Sequence, residues 1–253
     1  GERKEKGEEK TGGAGKGGRA FWLADDSEVP LFVGEAYRII RTNLAFGSID
    51  TALKTLQVTS AVKGEGKTTT AANLAMSLAS AGSKTLLMDA DLRRPALHKI
   101  LGFPERMESG LTDSLTNGRS WQSVMAPTST PNLFFIGSGS IAPNPAELLS
   151  SKRMKSLLGE LKEHFDIVII DSPPVVSVAD ATIIASLVDG TILVSRSGFV
   201  PRHLYLHAKG ALESVHGKVI GCVLNGVKTQ HQPYHYYEYY RQYGRYHEEG
   251  EER

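Results

Sequence analysis

The sequence predicts an α/β fold, built on a doubly wound, mostly parallel sheet with helices on both faces. From about residue 31 onward, apolar segments of strand length alternate with longer segments of helical periodicity. Several strand-like segments are continuously apolar, which is typical of parallel strands that helices cover on both sides. Strand–helix–strand repetition of this kind produces an open sheet that binds its ligands at the carboxyl ends of the strands.

The elements follow one another without an internal sequence repeat. The first predicted helix spans residues 34–46. The helix that begins at Pro145 has favourable start chemistry, because Asn144 can act as its N-cap and proline suits a first helical position. Strands are predicted at residues 56–59, 85–89, 133–136, 167–171, 191–194 and 219–224, and the other helices at 68–81, 145–164, 179–187 and 202–215.

Composition divides the chain into three parts. Residues 1–20 are almost entirely Gly, Lys, Glu and Arg, so they carry too little apolar surface to offset the entropy of ordering. We therefore expect a disordered linker over 1–30, a folded domain over 31–229 and a flexible tail over 230–253. No apolar stretch approaches the roughly 20 residues that a transmembrane helix needs.

Charge and cysteine content limit the classes of partner and compartment. The formal net charge of +1 gives no argument for nucleic acid as a partner. The single cysteine, Cys222, excludes an intramolecular disulfide and suits a reducing cytosol. Because it lies in the apolar run 219–224, we predict that Cys222 is a buried strand residue.

The segment Ala61-Val-Lys-Gly-Glu-Gly-Lys-Thr68, hereafter the phosphate loop, lies between a predicted strand and a predicted helix. Glycines let backbone N–H groups surround phosphate oxygens, and the positive end of the following helix favours their charge. The pattern is typical of P-loop NTPases, although Ala61 replaces the usual first glycine. It predicts ATP or ADP as ligand. The candidate nucleotide-binding residues are Lys63, Gly64, Glu65, Gly66, Lys67, Thr68 and Thr69, with Asn225 a further candidate for contact with the adenine base.

Carboxylates end two of the predicted strands. Asp89 and Asp91 are two positions apart at the end of one strand, and Asp171 ends another. At the carboxyl edge of the sheet such groups are placed to hold Mg²⁺ beside a bound nucleotide. Asp166 begins its strand at the opposite edge, so we expect a structural role for it.

These motifs resemble those of the bacterial tyrosine autokinases of capsule and exopolysaccharide export. The resemblance covers roughly residues 31–246 and includes the segment Glu35-Ala-Tyr-Arg38-Ile-Ile-Arg41 and a terminal tyrosine cluster. It implies that the chain uses ATP and magnesium, forms ring-like homo-oligomers through Glu35, Arg38 and Arg41, and phosphorylates its own tail between neighbouring subunits. Seven of the nine tyrosines form that cluster: Tyr234, Tyr236, Tyr237, Tyr239, Tyr240, Tyr243 and Tyr246.

We assign roles to the candidate catalytic residues on this basis. Lys67 contacts the phosphates, and Thr68, Asp89 and Asp171 form the magnesium shell. Asp91 orients the tyrosine hydroxyl and accepts its proton. Arg93 has two alternative roles, either stabilising developing charge or pairing with a neighbouring acid.

The resemblance also implies partners and a location. They are a membrane polysaccharide co-polymerase or activator segment, fused upstream or separate, and a cognate protein-tyrosine phosphatase. The protein would act in the cytoplasm at the inner face of the membrane. Two other functions fit the motifs: a partitioning or site-selection ATPase of the same fold, and a non-catalytic, ATP-bound assembly module. The first is disfavoured because its characteristic extra lysine, five residues before the loop lysine, is Val62 here.

Overall fold

A computed structural model describes residues 31–47, 53–103 and 107–227. The predicted linker and the tyrosine tail lie outside these ranges. The strands are β1 (Thr55–Ser60), β2 (Thr85–Asp89), β3 (Met125–Pro127), β4 (Leu133–Ile136), β5 (Ile167–Asp171), β6 (Gly190–Arg196) and β7 (Val219–Asn225). The helices are α1 (Leu31–Gly47), α2 (Lys67–Ser80), α3 (Leu97–Ile100), α4 (Leu111–Thr116), α5 (Trp121–Val124), α6 (Pro145–Leu149), α7 (Lys152–His164), α8 (Asp180–Ala185) and α9 (Arg202–Ser214).

The strands form one seven-stranded sheet in the order β3-β4-β2-β5-β1-β6-β7. Each neighbouring pair is parallel except β3 and β4, which are antiparallel. The carboxyl ends of β1, β2 and β5 therefore meet at one edge of the sheet, with β5 between the other two. The predicted fold class is confirmed.

Helices cover both faces of this sheet, which explains why the central strands β2 and β5 are almost entirely apolar. Leu87 of β2 and Ile169 of β5 pack with α2 in one core cluster. Leu86 and Ile170, one residue away in the same strands, pack with α7 in another. Because successive strand residues face opposite sides, both faces must be apolar.

Several elements differ from the prediction, and the short helices α3, α4 and α5 were not predicted. The strand β3 was not predicted, because a three-residue edge strand that ends in proline carries no periodic pattern. The single helix predicted over 145–164 is two helices, since Ser151 interrupts it and accepts a hydrogen bond from Met154 N at 3.2 Å as the N-cap of α7. Asn144 makes no capping bond with its side chain and instead donates to Glu147 Oε2.

The prediction that Cys222 is buried is wrong. Its side chain is exposed, and Leu224 in the same strand is 61% exposed. Both belong to β7, which is the outermost strand of the sheet. The buried residues of α9 are Ala208 and Leu212, which pack with Val219 at the start of β7, while Cys222 and Leu224 further along the strand are exposed.

No helix within the described ranges is long and apolar enough to cross a membrane.

Candidate active site

The phosphate loop connects β1 to α2 and has the backbone geometry of an anion site. Gly64 and Gly66 have φ angles of 91° and 94°, in the left-handed region that favours glycine. Gly66 is the N-cap of α2 and provides no side-chain cap, so side chains do not compete for the amides of the first helical turn. Ala61 is fully buried and has no positive φ, which explains why this position does not require glycine.

The side chain of Lys67 lies among oxygen atoms from three segments. Its Nζ is 3.1 Å from Thr68 Oγ1, 3.4 Å from Asp91 Oδ2 and 3.3 Å from Asp171 Oδ1. Burial would lower the pKa of Lys67, but the charges of Asp171 and Asp91 outweigh that effect and raise it. The lysine is therefore held as an ammonium ion at the carboxyl edge of the sheet.

Asp89 is fully buried beside a second carboxylate. It lies opposite Asp171 in the β2–β5 ladder. Burial, followed by the charge of Asp171, raises the pKa of Asp89 to about 8, although the N–H of Leu97 donates to it. Burial likewise raises the pKa of Asp171, against the opposing charge of Lys67. The pair stores unfavourable electrostatic energy, which is typical of catalytic sites.

The oxygen atoms around Lys67 have the chemistry that Mg²⁺ prefers. A hydroxyl from Thr68 and carboxylates from Asp91 and Asp171 already surround one cationic group. Asp89 is less available, because its Oδ1 accepts from Asp91 N and its Oδ2 from the amides of residues 96 and 97. Within the described ranges no cluster of three or more His, Cys, Asp or Glu residues could hold a metal by itself. Magnesium here would need phosphate and water ligands as well, as it commonly does.

Arg93 forms a two-point ion pair, which is one of its two predicted roles, with a partner that the sequence did not identify. Its Nε donates to Asp180 Oδ2 at 2.8 Å, and its second terminal nitrogen donates to Asp180 Oδ1 at 3.0 Å. Asp180 is completely buried at the first position of α8, whereas 41% of the Arg93 side chain is exposed. Asp180 lies 87 residues from Arg93, so no local signal could have identified this partner. The pair connects the segment after β2 to α8.

The remaining nucleotide-binding candidates differ in their exposure and in their hydrogen bonds. Lys63 is exposed, and Thr69 lies in the first turn of α2. The Glu65 carboxylate is fully buried and accepts hydrogen bonds from Val62 N and Arg196 N. Asn225, at the end of β7, donates from Nδ2 to Glu65 O at 3.0 Å.

The three candidate oligomer contacts lie on α1 and have different environments. Arg38 pairs with Glu35 at 3.1 Å on the exposed side of the helix. Arg41 instead donates to the Ser77 carbonyl oxygen at 2.7 Å, which attaches α1 to α2. Glu35 and Arg38 are therefore accessible to a neighbouring molecule, while Arg41 also has a partner within its own chain. The seven candidate acceptor tyrosines, at positions 234–246, lie outside the described residues.

Comparisons with known proteins agree with this geometry. Residues 53–198 match the family model of an AAA domain. Tyrosine-protein kinase YwqD of Bacillus subtilis is 44% identical over 204 residues, which cover 80% of this chain and 85% of that protein. The kinase domain of the Escherichia coli tyrosine kinase ETK superposes with a TM-score of 0.75 at 32% identity, covering 79% of this chain and 78% of that one.

A more distant likeness shows the fold alone. The septum site-determining protein MinD of Pyrococcus horikoshii, solved as a complex with Mg-ADP, has a TM-score of 0.60 at 22% identity and covers 72% of this chain and 74% of its own. The relatives of higher identity are the tyrosine kinases. Together with the phosphate loop and the strand-end carboxylates, this extent of identity shows that the chain belongs to the family of bacterial tyrosine-protein kinases, which transfer a phosphoryl group from ATP to protein tyrosine.

Proposed function

We propose that this kinase phosphorylates the tyrosines of its own C-terminal tail. The supporting observation is the direction of β7, which is parallel to β6 and ends beside the phosphate loop, with Asn225 Nδ2 3.0 Å from Glu65 O. The chain therefore leaves the domain at the nucleotide site. About 10 residues separate Leu224 from Tyr234, which gives a reach of at most roughly 35 Å. That reach permits transfer within one subunit as well as transfer to a neighbouring subunit, and only the family resemblance favours the second.

The phosphate loop and its neighbours provide placement and charge stabilisation. We assign Lys67 and the loop amides to the phosphates, which requires the Lys67 ammonium to move from Asp91 and Asp171 towards the γ-phosphate. Thr68, Asp171 and Asp89 would hold magnesium, with Asp89 acting through water. Bound magnesium would neutralise charge between the β- and γ-phosphates.

Asp91 is the proposed acceptor of the tyrosine proton. Once Lys67 has moved, the Oδ2 atom of Asp91 becomes available, while its Oδ1 remains fixed by Arg94 N at 3.0 Å. The tyrosine oxygen bonds to the γ-phosphorus, the bond to the β–γ bridging oxygen breaks, and the phenol proton passes to Asp91. A phenol titrates near pH 10, so early deprotonation is unnecessary if the leaving bond breaks first. Arg93 would keep this segment in place through Asp180.

Intact-mass spectrometry of the chain after incubation with ATP and magnesium tests the proposal. We expect mass increases of whole phosphates that map to residues 234–246, and none in an Asp91→Asn variant. Release of free phosphate without a gain in mass would support the partitioning ATPase instead. Nucleotide binding with neither product would support the assembly module.

A mixing experiment separates the two routes of transfer. A Lys67→Met chain that keeps the tail is incubated with an active chain truncated at residue 230. Labelled tyrosines on the Lys67→Met chain are expected for transfer between subunits. Their absence, with normal labelling of the intact active chain, would show that transfer occurs within one subunit.

Tail phosphorylation would regulate assembly through charge. Residues 231–253 contain three arginines and five glutamates, a formal charge of −2. Each phosphotyrosine adds about −1.5 to −2, so repulsion between neighbouring tails should dissociate the ring-like homo-oligomer. We expect light scattering to show a lower mass after phosphorylation, less so at high salt. An unchanged mass after full phosphorylation would refute this mode of regulation.

The family resemblance supports a setting for this cycle. We place the kinase at the cytoplasmic face of the membrane, where a polysaccharide co-polymerase or activator segment would stimulate it and a protein-tyrosine phosphatase would reverse its modification. The cycle would then control polymerisation and export of a capsular polysaccharide or exopolysaccharide.

A further inference from the structure

The phosphate loop contains one acidic residue, Glu65, in a segment that binds anions. A carboxylate facing the bound phosphates would repel them. The side chain instead turns into the protein and is fully buried. Burying a charged carboxylate is unfavourable unless hydrogen bonds replace its water. The contacts of Glu65 therefore indicate why this position carries an acid.

Glu65 joins three segments of the chain. Its Oε2 accepts from Val62 N at 2.8 Å, within the phosphate loop itself. Its Oε1 accepts from Arg196 N at 3.3 Å, at the end of β6. Its backbone oxygen accepts from Asn225 Nδ2 at 3.0 Å, at the end of β7. One residue thus connects the loop to two strand ends that lie 131 and 160 positions away.

The amide of Asn225 completes this connection. Its Nδ2 donates to Glu65 O, and its Oδ1 accepts from Gly226 N at 2.8 Å. A Cβ atom at position 66 would collide with Nδ2 of Asn225. Glycine at this position therefore permits the close approach of Asn225 as well as the left-handed φ. One N–H of the Asn225 amide and one lone pair of its oxygen are therefore used within the protein.

We propose that Glu65 and Asn225 are positioning residues, which hold the phosphate loop in its binding conformation and act on the nucleotide only through the loop backbone. An irregular loop loses conformational entropy when it becomes ordered. If these contacts order the loop during folding, nucleotide binding no longer includes that cost. The proposal rests on nucleotide binding at this loop.

Nucleotide affinity of the full chain tests the role of Glu65. In Glu65→Gln the amide keeps one acceptor oxygen and turns an NH₂ group towards the other N–H donor. Calorimetric titration with ADP and magnesium should show a dissociation constant raised by roughly tenfold. The phosphorylation rate at saturating ATP should change by less than about threefold, because the residue does not contact the reacting atoms.

Asp189→Asn is the matched control. Asp189 also accepts two backbone N–H groups, from Lys54 and Thr55, but at the amino end of β6. Both variants should unfold at a lower temperature, and only Glu65→Gln should weaken ADP binding. A Glu65→Gln chain that is less stable but binds ADP like the wild type would overturn the proposal. Wild-type affinity combined with slow transfer would also overturn it.

Asn225→Ala provides an independent test, which also applies if the Glu65 variant does not fold. The experiment would measure how strongly ATP, and tripolyphosphate, which has no base, displace a fluorescent ADP analogue from the wild-type and variant chains. A loop-positioning role predicts that both competitors weaken by the same factor. Weakening confined to ATP would show that Asn225 recognises adenine and would contradict the proposal. A wild-type chain that binds neither competitor would refute nucleotide binding at this loop altogether.

Discussion

The two edges of the sheet use the same residue types with opposite electrostatic results. At the amino edge, Asp189 Oδ2 accepts from the amides of Lys54 and Thr55, and its Oδ1 pairs with Lys162 at 2.6 Å. Burial would raise the pKa of Asp189, but these hydrogen bonds outweigh it and lower the pKa. At the carboxyl edge, burial and a neighbouring carboxylate raise the pKa of Asp89 to about 8.

The difference separates stabilising chemistry from catalytic chemistry within one fold. The amino-edge acid has a nearby lysine of its own and is only partly buried. At the carboxyl edge, one ammonium group serves both Asp91 and Asp171, while Asp89 is buried next to them. Such an edge is less stable without ligand and binds added cations more favourably. We infer that the residues of the amino edge stabilise the fold, whereas those of the carboxyl edge lower its stability and provide the reactive groups.

Removing a lysine from each edge should give the largest contrast. Lys67→Met should lower tyrosine phosphorylation by at least about 100-fold, because a donor to the developing phosphate charge is lost. Lys162→Met should leave the rate within about twofold and lower the free energy of unfolding by about 1 kcal/mol or less, as expected for a partly exposed ion pair. Radiolabel transfer from ATP and denaturant unfolding measure the two effects. Equal loss of activity in both variants would contradict the proposed division.

Compared with Lys67→Met, the Asp89→Asn variant should lose less activity and should show a larger change in the pH dependence of stability. Because the folded pKa of Asp89, about 8, exceeds the unfolded value of about 3.9, the folded state binds the proton more tightly. The contribution of this proton binding to the free energy of unfolding is complete below about pH 4 and is lost as the pH rises through 8. The free energy of unfolding then falls by at most about 1.4 kcal/mol per pH unit. The variant should lack this slope and lose about 10- to 100-fold in activity. Denaturant unfolding at several pH values from 5 to 8 measures it, and identical slopes in both proteins would disprove the raised pKa.

The sequence was sufficient to predict the central strands because their pattern has one local cause. Residues 85–89 and 167–171 are almost entirely apolar because both faces are covered, and each of these two runs ends in a carboxylate at the ligand edge. The position of Asp166 was also predictable, and its Oδ2 accepts from Lys84 N at the opposite edge. The three-residue strand β3 and the break at Ser151 lack such a pattern, because edge pairing and one capping hydroxyl determine them.

For the site, sequence reasoning identified residue types at strand ends but not the contacts between distant segments. The convergence of Lys67, Asp91 and Asp171 follows from loop and strand-end motifs that can be recognised one at a time. The partner of Arg93 and the distant partner of Glu65, Arg196 N, depend on which elements become neighbours in the sheet, so no single motif contains them. Cys222 shows the same limit, since its apolar run did not reveal that β7 is an outer strand.

The smallest predicted effect on activity concerns Asp189→Asn, which should alter stability without altering catalysis. Because the folded pKa of Asp189 is lowered, its stabilising contribution is present above the unfolded pKa of about 3.9 and is lost as the pH falls through the folded value. We expect a loss of about 1–3 kcal/mol in the free energy of unfolding at pH 7, from hydrogen bonds to a charged group, and a smaller loss towards pH 3. Phosphorylation should remain at the wild-type rate. The two aspartates thus predict opposite pH trends within one sheet, and a loss that grows with acidity in Asp189→Asn would show that the two edges do not differ in this way.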